Sequence, residues 1–541
     1  MPRLIDILSL RVRRAAELVR LVSLAQRVAS ASRPDADNRP VLFFNASTRL
    51  SGLSQNAAFS LLFSWAARMA GSPVVHFVCK TGMSRCLLGT DETDPSRPMP
   101  CGMCIRQSQA NFVGAETHWF SYRRDEVLFA NLQNLCLSEL LAYEHLLPSN
   151  FFNAPHEPIS LPLGSIVLPS LRWRLRLQSL TDDEPTRFLC REFMLSAWNV
   201  MYEFNILIEI AKPQAVVLFN GMHFPEATAF WLCQQRGVRA VTHESGFQPF
   251  SGYFVAGQAT MYPITIPDGE LTPEQNTRLD ADLQKRWQGD FSMAGVKFWQ
   301  GIHDLGDSLK SKIAAHRQTL AVFTNVVFDT SQLHANVSFR DMYDWLDTLL
   351  EIIHANPETL FIVRAHPDEA RPGKASRESV AMWMDQSGAS MLENVVFIPS
   401  QERLNSYDLV RASKFILVYN STISLESTLL GIPALCAARS PFTDYGITFF
   451  EPERGAYLQR LNSLLLAESL QVPEEAIRRT RRFMYYRYYR FSLPFGEFVE
   501  DTRPMGYVRM RKFSLQELRK SPAASVLLDG LFHGKQFELE V

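Results

Sequence analysis

The chain has 541 residues, 46% hydrophobic and 21% charged, with 55 Lys+Arg against 56 Asp+Glu and a formal net charge of -1. That much apolar material excludes a disordered chain, and the charge balance excludes a polycation built to coat nucleic acid. The length exceeds the ~100–200 residues of one domain, no window approaches the ~18 apolar residues of a membrane span, and no secretory signal is visible, so the expectation is a cytoplasmic protein of two or more domains.

Residues 1–33 form a segment of their own. Seven arginines (Arg3, Arg11, Arg13, Arg14, Arg20, Arg27, Arg33) alternate with Leu4, Ile7, Leu8, Leu18, Leu21, Val22 and Leu24, a basic amphipathic helix. It suits either a docked surface helix or a contact with an anionic membrane surface, the inner face of the cytoplasmic membrane. A polar linker follows, then strand 41–44, a helix over 54–70 and strand 73–79, which make a βαβ unit. The region 105–210 reads as helical with long loops. Strand 215–219, helix 224–236 and strand 239–242 complete a first Rossmann-like domain over 40–263, with a cysteine-bearing insertion at 79–104.

Residues 264–318 read as a helical interdomain segment without strands. A second series then runs strand 320–324, helix 341–355, strand 360–364, helix 376–386, strand 395–398, helix 406–411, strand 415–419, helix 424–430 and strand 434–436. Continuous apolar strands alternating with helices predict a parallel sheet covered on both faces, a second Rossmann-like domain over 319–470. Residues 471–541 are assigned to an Arg/Tyr-rich helical extension. The fold class is therefore α/β, two doubly wound domains facing across a cleft, with ligands expected at the carboxyl ends of the strands.

Candidate site residues fall at those ends. Ser421, Thr422 and Ser424 occupy the turn after strand 415–419, where a helix N-terminus favours phosphate, and Glu426 one turn on suits a sugar or ribose hydroxyl; an ordinary capped helix explains the hydroxyls equally well. Arg364 and His366, in Arg364-Ala-His-Pro367, follow strand 360–364 and suit a leaving phosphate. Gln401–Tyr407 sits where such domains read a base or ribose, with a capped helix as the alternative. In the first domain, Asn220 and Glu226 follow strand 215–219, and His243 and Glu244 follow strand 239–242, beside a Gly246 that permits close backbone approach. Glu244 and His243 are the preferred general bases for an acceptor hydroxyl, with Asn45, Arg49, Asn220 and Glu226 on the acceptor side.

Two further clusters stand out. Cys79, Cys86, Cys101 and Cys104 suit a structural zinc, free thiols or disulfides, the last disfavoured in a reducing compartment. Arg478–Arg490 packs six arginines and five aromatics into 13 residues. Packing of the aromatics on the core, a membrane or lipid-phosphate contact, and single-stranded nucleic acid are its readings, with nucleic acid last because the rest of the chain is not basic.

At Arg364-Ala-His-Pro367, Ser406-Tyr-Asp-Leu-Val410 and Val418-Tyr-Asn-Ser-Thr-Ile-Ser-Leu-Glu-Ser-Thr-Leu-Leu-Gly-Ile-Pro433, the chain resembles the C-terminal domain of bacterial capsular and surface-polysaccharide glycosyltransferases, a group that includes the Kdo transferases of capsule assembly. The resemblance is clearest over about residues 320–450 and weaker over 40–255. It implies the GT-B fold and a CMP-, UDP- or GDP-linked sugar donor held mainly by the C-terminal domain. His366, Ser421 and Thr422 would lie on the donor phosphate, Glu426 near its sugar or ribose, and the acceptor would be a glycan or lipid-linked sugar. UDP-N-acetylglucosamine 2-epimerases share the layout, so an epimerase-like enzyme is the alternative, with a non-catalytic assembly protein as a third. No Asp-x-Asp motif occurs at a strand end, which fits metal-independent chemistry without a catalytic cofactor.

Overall fold

A computed structural model describes residues 4–35, 37–46, 52–152, 157–288, 292–293, 296–297, 303–329, 334–371, 375–502 and 506–540. Arg49 lies outside the described residues, as do the side chains of Arg3, Arg11 and Arg13.

Two sheets carry the fold. In the N-terminal one the parallel strands Glu116–Phe120, Val74–Cys79, Val41–Asn45, Ala215–Phe219 and Ala240–Ser245 lie side by side in that order. The strand order reverses between Val41–Asn45 and Ala215–Phe219, and a ligand crevice is expected there. Two antiparallel strands extend the sheet: Ser251–Val255 and, from far along the chain, Leu493–Pro494. The C-terminal sheet is wholly parallel, in the order Val395–Ile398, Thr359–Arg364, Gln318–Phe323, Phe415–Val418, Ala434–Cys436, Phe449–Phe450. Its order reverses between Gln318–Phe323 and Phe415–Val418. Two Rossmann-like domains in tandem are the GT-B arrangement.

The apolar runs that predicted these strands are buried because helices cover both faces. Val216, Val217 and Leu218 are fully buried, as are Phe415, Ile416, Leu417 and Val418. Helix Met342–Ala355 covers one face of the C-terminal sheet. Asp341 caps it by accepting from the Tyr343 and Asp344 amides, and Met342, Trp345, Leu346, Leu349 and Ile353 go into the core. Trp345 donates its indole N–H to the Tyr457 hydroxyl at 2.8 Å, which satisfies the polar atom of a buried ring.

Three features differ from the sequence-based expectation, and a fourth agrees with one of its two readings. The interdomain segment carries, between helices Pro273–Trp287 and Asp307–Ala315, a small hairpin of Ser292–Met293 and Val296–Lys297. Strand Ser251–Val255 belongs to the first sheet, and its fully buried neighbours include Phe254. The C-terminal extension is not helical throughout. After helix Glu474–Tyr485 it crosses back, adds Leu493–Pro494 to the first sheet, and builds a three-stranded sheet from Val499–Thr502, Tyr507–Met510 and Leu53–Ser54. Helix Pro522–His533 then places Leu527 and Leu531 in the same core cluster as Phe59 and Phe63 of helix Gln55–Met69. Finally, the N-terminal helix Leu4–Ala31 docks through its second half: Leu21, Leu24, Ala25 and Val28 are buried in that cluster, and Arg20 donates to the Met510 carbonyl at 3.0 Å.

Candidate functional site

The loops at the carboxyl ends of the two sheets meet. Glu244, a half-buried carboxylate, lies one residue before the end of strand Ala240–Ser245 in the first domain. Asn56 Nδ2 donates to its Oε1 at 2.9 Å, Asn220 Nδ2 to its Oε2 at 3.0 Å and the Ser245 amide to its Oε1 at 2.8 Å. Burial pushes its pKa up, and these three donors pull it back only in part. The close approach expected at Gly246 is real: a Cβ there would lie 2.3 Å from Ser251 Oγ and 3.0 Å from Ser492 Oγ.

In the second domain His366 follows strand Thr359–Arg364. Its Nδ1 accepts the Asp368 amide at 3.1 Å. Burial holds the imidazole below its usual pKa, with Asp368 and Asp329 opposing. A neutral ring whose Nδ1 is an acceptor carries its proton on Nε2, so His366 presents a donor there. Asp329, on the loop after Gln318–Phe323, acts electrostatically on Glu244 of one domain and on His366, Tyr262 and Arg176 besides. Glu244 and His366 thus both lie within electrostatic range of the same carboxylate.

The other expected residues take different places. His243 does not join Glu244. Adjacent residues of a strand point to opposite faces, and its ring packs on Phe219 and Phe254 at centroid distances of 5.8 and 5.3 Å. It is 2% exposed, and burial lowers its pKa to about 3, so it is a neutral core residue rather than a base at the cleft. Arg364 spends its guanidinium on the Pro399 and Glu402 carbonyls at 2.5 and 2.7 Å, which fixes the following loop instead of facing a phosphate. Ser424 is fully buried and donates to the Ser421 carbonyl at 2.8 Å, a contact internal to the turn. Ser421 and Thr422 sit at the start of helix Ile423–Leu429, and the Thr422 hydroxyl makes no capping bond.

Glu426, one turn on, forms an ion pair at 3.0 Å with Arg286 of the interdomain helix. Burial would lower the Arg286 pKa, but Tyr488 and Glu426 hold it above its ordinary value; burial pushes Glu426 up with Arg286 opposing, so each member of the pair depends on the other. On the acceptor side, Asn220 orients Glu244 and accepts the Met222 amide at 3.0 Å. Asn45 donates to the Phe43 carbonyl at 3.0 Å and shares a 3.0 Å contact with His76 Nδ1. Glu226 is buried at the first turn of helix Glu226–Gln235.

Sequence reasoning missed Asn56, Tyr262, Arg286 and Asp329. Asn56 and Arg286 act on partners 188 and 140 residues away, which no local pattern reveals. Asp329 did carry a signal, an acid a few residues past the end of an apolar strand.

The four cysteines line one cavity of about 30 Å³ beneath residues 79–105. Cys79 and Cys86 accept amide hydrogens from Gly82 and Gly89 at 3.1 and 3.2 Å. Burial pushes the two thiols up to about 12 and 11. None of the four forms a disulfide, and among the described residues no group of three or more His, Cys, Asp or Glu is arranged to hold a metal. Zinc binding would require the loop to draw its sulfurs together. In the same loop Glu92 pairs with Arg174 and Arg176 of the first domain at 3.6 and 3.4 Å, and its carbonyl accepts from Arg377 of the second domain at 2.8 Å.

The basic tail is absorbed into the interdomain seam. Arg478 and Arg479 pair with Glu475, Arg481 with Asp280 and Arg490 with Glu538, while Phe483, Tyr485, Tyr488 and Tyr489 are buried. No helix among the described residues is long and apolar enough to cross a membrane.

Residues 298–460 match the family model of capsule polysaccharide biosynthesis proteins. Protein FixF of Sinorhizobium fredii is 22% identical over 298 residues, which are 53% of this chain and 61% of that protein, so the chain spans under two thirds of its curated relative. Among solved structures, the KpsC beta Kdo 2,4 transferase of Thermosulfurimonas dismutans is similar at 13% identity and a TM-score of 0.35, covering 52% of this chain and 81% of that one. A UDP-GlcNAc 2-epimerase from Neisseria meningitidis is similar at 12% identity and a TM-score of 0.25, covering 53% and 76%. The family match thus falls on the second Rossmann-like domain, which carries His366 and the helix-start residues Ser421 and Thr422 at its strand ends.

Proposed function

We propose that this protein is a glycosyltransferase of capsule polysaccharide synthesis, moving a sugar from a nucleotide-sugar donor to a hydroxyl of a glycan or lipid-linked acceptor. One observation supports the reading most: Glu244 at a strand end of the first domain and His366 at a strand end of the second are both within electrostatic range of Asp329. In this reading the donor lies against the second domain. His366 donates from Nε2 to the departing phosphate, and the amides and hydroxyls at Ser421 and Thr422 hold the same group. Glu244, raised toward neutrality by burial, takes the acceptor's proton as the bond to the sugar forms. These groups neutralise the leaving phosphate without a metal ion. Helix Leu4–Ala31 shows Val12 and Val19 to solvent, which suits a peripheral contact with an anionic membrane surface.

The test is transfer by the purified full chain with CMP-, UDP- and GDP-sugars and a glycan acceptor. His366→Ala should lose transfer at least a hundredfold while its melting temperature holds. Full activity in that variant would overturn the role of His366, and turnover of donor without any acceptor would favour the epimerase chemistry.

A further inference from the structure

The seam between the domains holds two arginines with different surroundings. Arg286 has Glu426. Arg487 is 4% exposed and has no carboxylate partner among the described residues; its Nε and Nη1 are buried without a hydrogen-bond acceptor. Its guanidinium carbon lies 3.5 Å from the centre of the Phe247 ring, 4.7 Å from that of Tyr262 and 5.6 Å from that of Phe483. Aromatic faces attract the charge but accept none of its in-plane hydrogens.

The sequence makes this placement conspicuous. Helix Glu474–Tyr485 buries Ala476, Thr480 and Phe483 along one stripe, and the next position of that stripe is 487. An apolar residue belongs there by periodicity. The segment Tyr486–Arg490 that carries Arg487 is a π-helical turn, closed by the Phe491 amide on the Tyr486 carbonyl at 2.9 Å. Such turns are uncommon and gather at functional sites. Arg487 also lies beside the Glu244 end of the proposed active site. Tyr262, against which it lies, donates to the Ser245 carbonyl at 3.2 Å next to Glu244, and Arg487 and Glu426 are close enough to influence each other's charge.

We propose that Arg487 is the counter-charge for an oxyanion of the bound donor, either a phosphate oxygen or the carboxylate of an acidic sugar. This rests on the reading of the cleft as a nucleotide-sugar site. The buried guanidinium has open N–H donors in a water-poor seam, the arrangement that recognises a planar or tetrahedral oxyanion through charge-assisted hydrogen bonds. Burying it unpaired is costly to the empty protein, and that cost is recovered when the anion binds.

The experiment uses the full chain as wild type, Arg487→Met and Arg487→Lys, with melting temperature and calorimetric affinity as readouts. Without ligand, Arg487→Met should melt at or above wild type, since an unpaired cation is replaced by an apolar chain of similar reach. Its affinity should fall at least tenfold for UDP, GDP and CMP if the oxyanion is a phosphate. It should fall for free Kdo instead if the oxyanion is the sugar carboxylate. Arg487→Lys, which keeps the charge, should lose less. Unchanged affinity for both probe classes overturns the assignment, and so does an empty Arg487→Met that melts below wild type, because the guanidinium is then a packing element. Should wild type bind none of these molecules, the donor reading itself fails. Arg487 is then judged by inorganic pyrophosphate, whose stabilising effect on wild type must be present and must vanish in Arg487→Met.

Discussion

Half-buried Glu244 and fully buried Glu426 are acids at the carboxyl ends of the two sheets, and they are held in opposite ways. Glu244 is surrounded by neutral donors: two asparagine amides and one backbone N–H. Glu426 is matched by a full positive charge at 3.0 Å. Neutral donors orient a carboxylate without cancelling its charge, so Glu244 can gain and lose a proton at modest cost. An ion pair in a low-dielectric seam fixes the charge state and the geometry together. The first arrangement suits chemistry and the second suits holding two domains in register.

Removing Arg286 is the harshest way to break this contrast. Arg286→Met leaves Glu426 as an uncompensated buried charge and should cost about 3–5 kcal/mol in denaturant unfolding. Adding Glu426→Gln should return most of that loss; a double variant no more stable than the single one would show that the two do not depend on each other.

Glu244→Gln sharpens the contrast from the other side. Asn56 Oδ1 is buried without a hydrogen-bond partner, so Asn56 can turn to accept from the new amide. Stability should change by less than about 1 kcal/mol, while transfer falls by about 10²–10⁴. A variant that keeps its rate removes Glu244 from the mechanism.

The smallest effect at neutral pH belongs to His243, one residue away. Its folded pKa is about 3 against an ordinary 6.5, so the unfolded chain binds its proton first. Stability from this group is complete above pH 6.5 and is lost as pH falls from there toward 3. His243→Phe should sit within about 1 kcal/mol of wild type at pH 7 and gain on it by about 2 kcal/mol at pH 5. Parallel pH profiles for the two proteins would mean that the imidazole is not the acid-sensitive group.

The two sheets differ in how well the chain announces them. Runs such as Val395–Ile398 and Phe415–Val418 are apolar throughout because helices cover both faces, so their strands and the alternation with helices were readable. Leu493–Pro494 was not: two residues hydrogen-bonded to a strand some 240 positions earlier carry no local signature. The site divides in the same way. His366 and Glu244 were legible because a polar residue at the end of an apolar strand is displaced from the core toward the ligand side. His243 was misplaced because position in the chain suggested the cleft, whereas the period of two sends neighbours to opposite faces. Arg364 looked like a phosphate ligand, and only the path of the 399–402 loop explains its use.

The return of residues 493–540 to the first domain also has a consequence for how the protein is made. Leu527, Leu531 and Phe537 complete the same apolar cluster as Val41, Phe59 and Leu21. On the ribosome that cluster stays open until residues 527–539 have emerged, whereas the second domain has all its strands by residue 450. The domain encoded second is therefore the first able to finish folding, and the one encoded first must wait with apolar surface uncovered, the stage at which chaperones act and at which truncated products would aggregate.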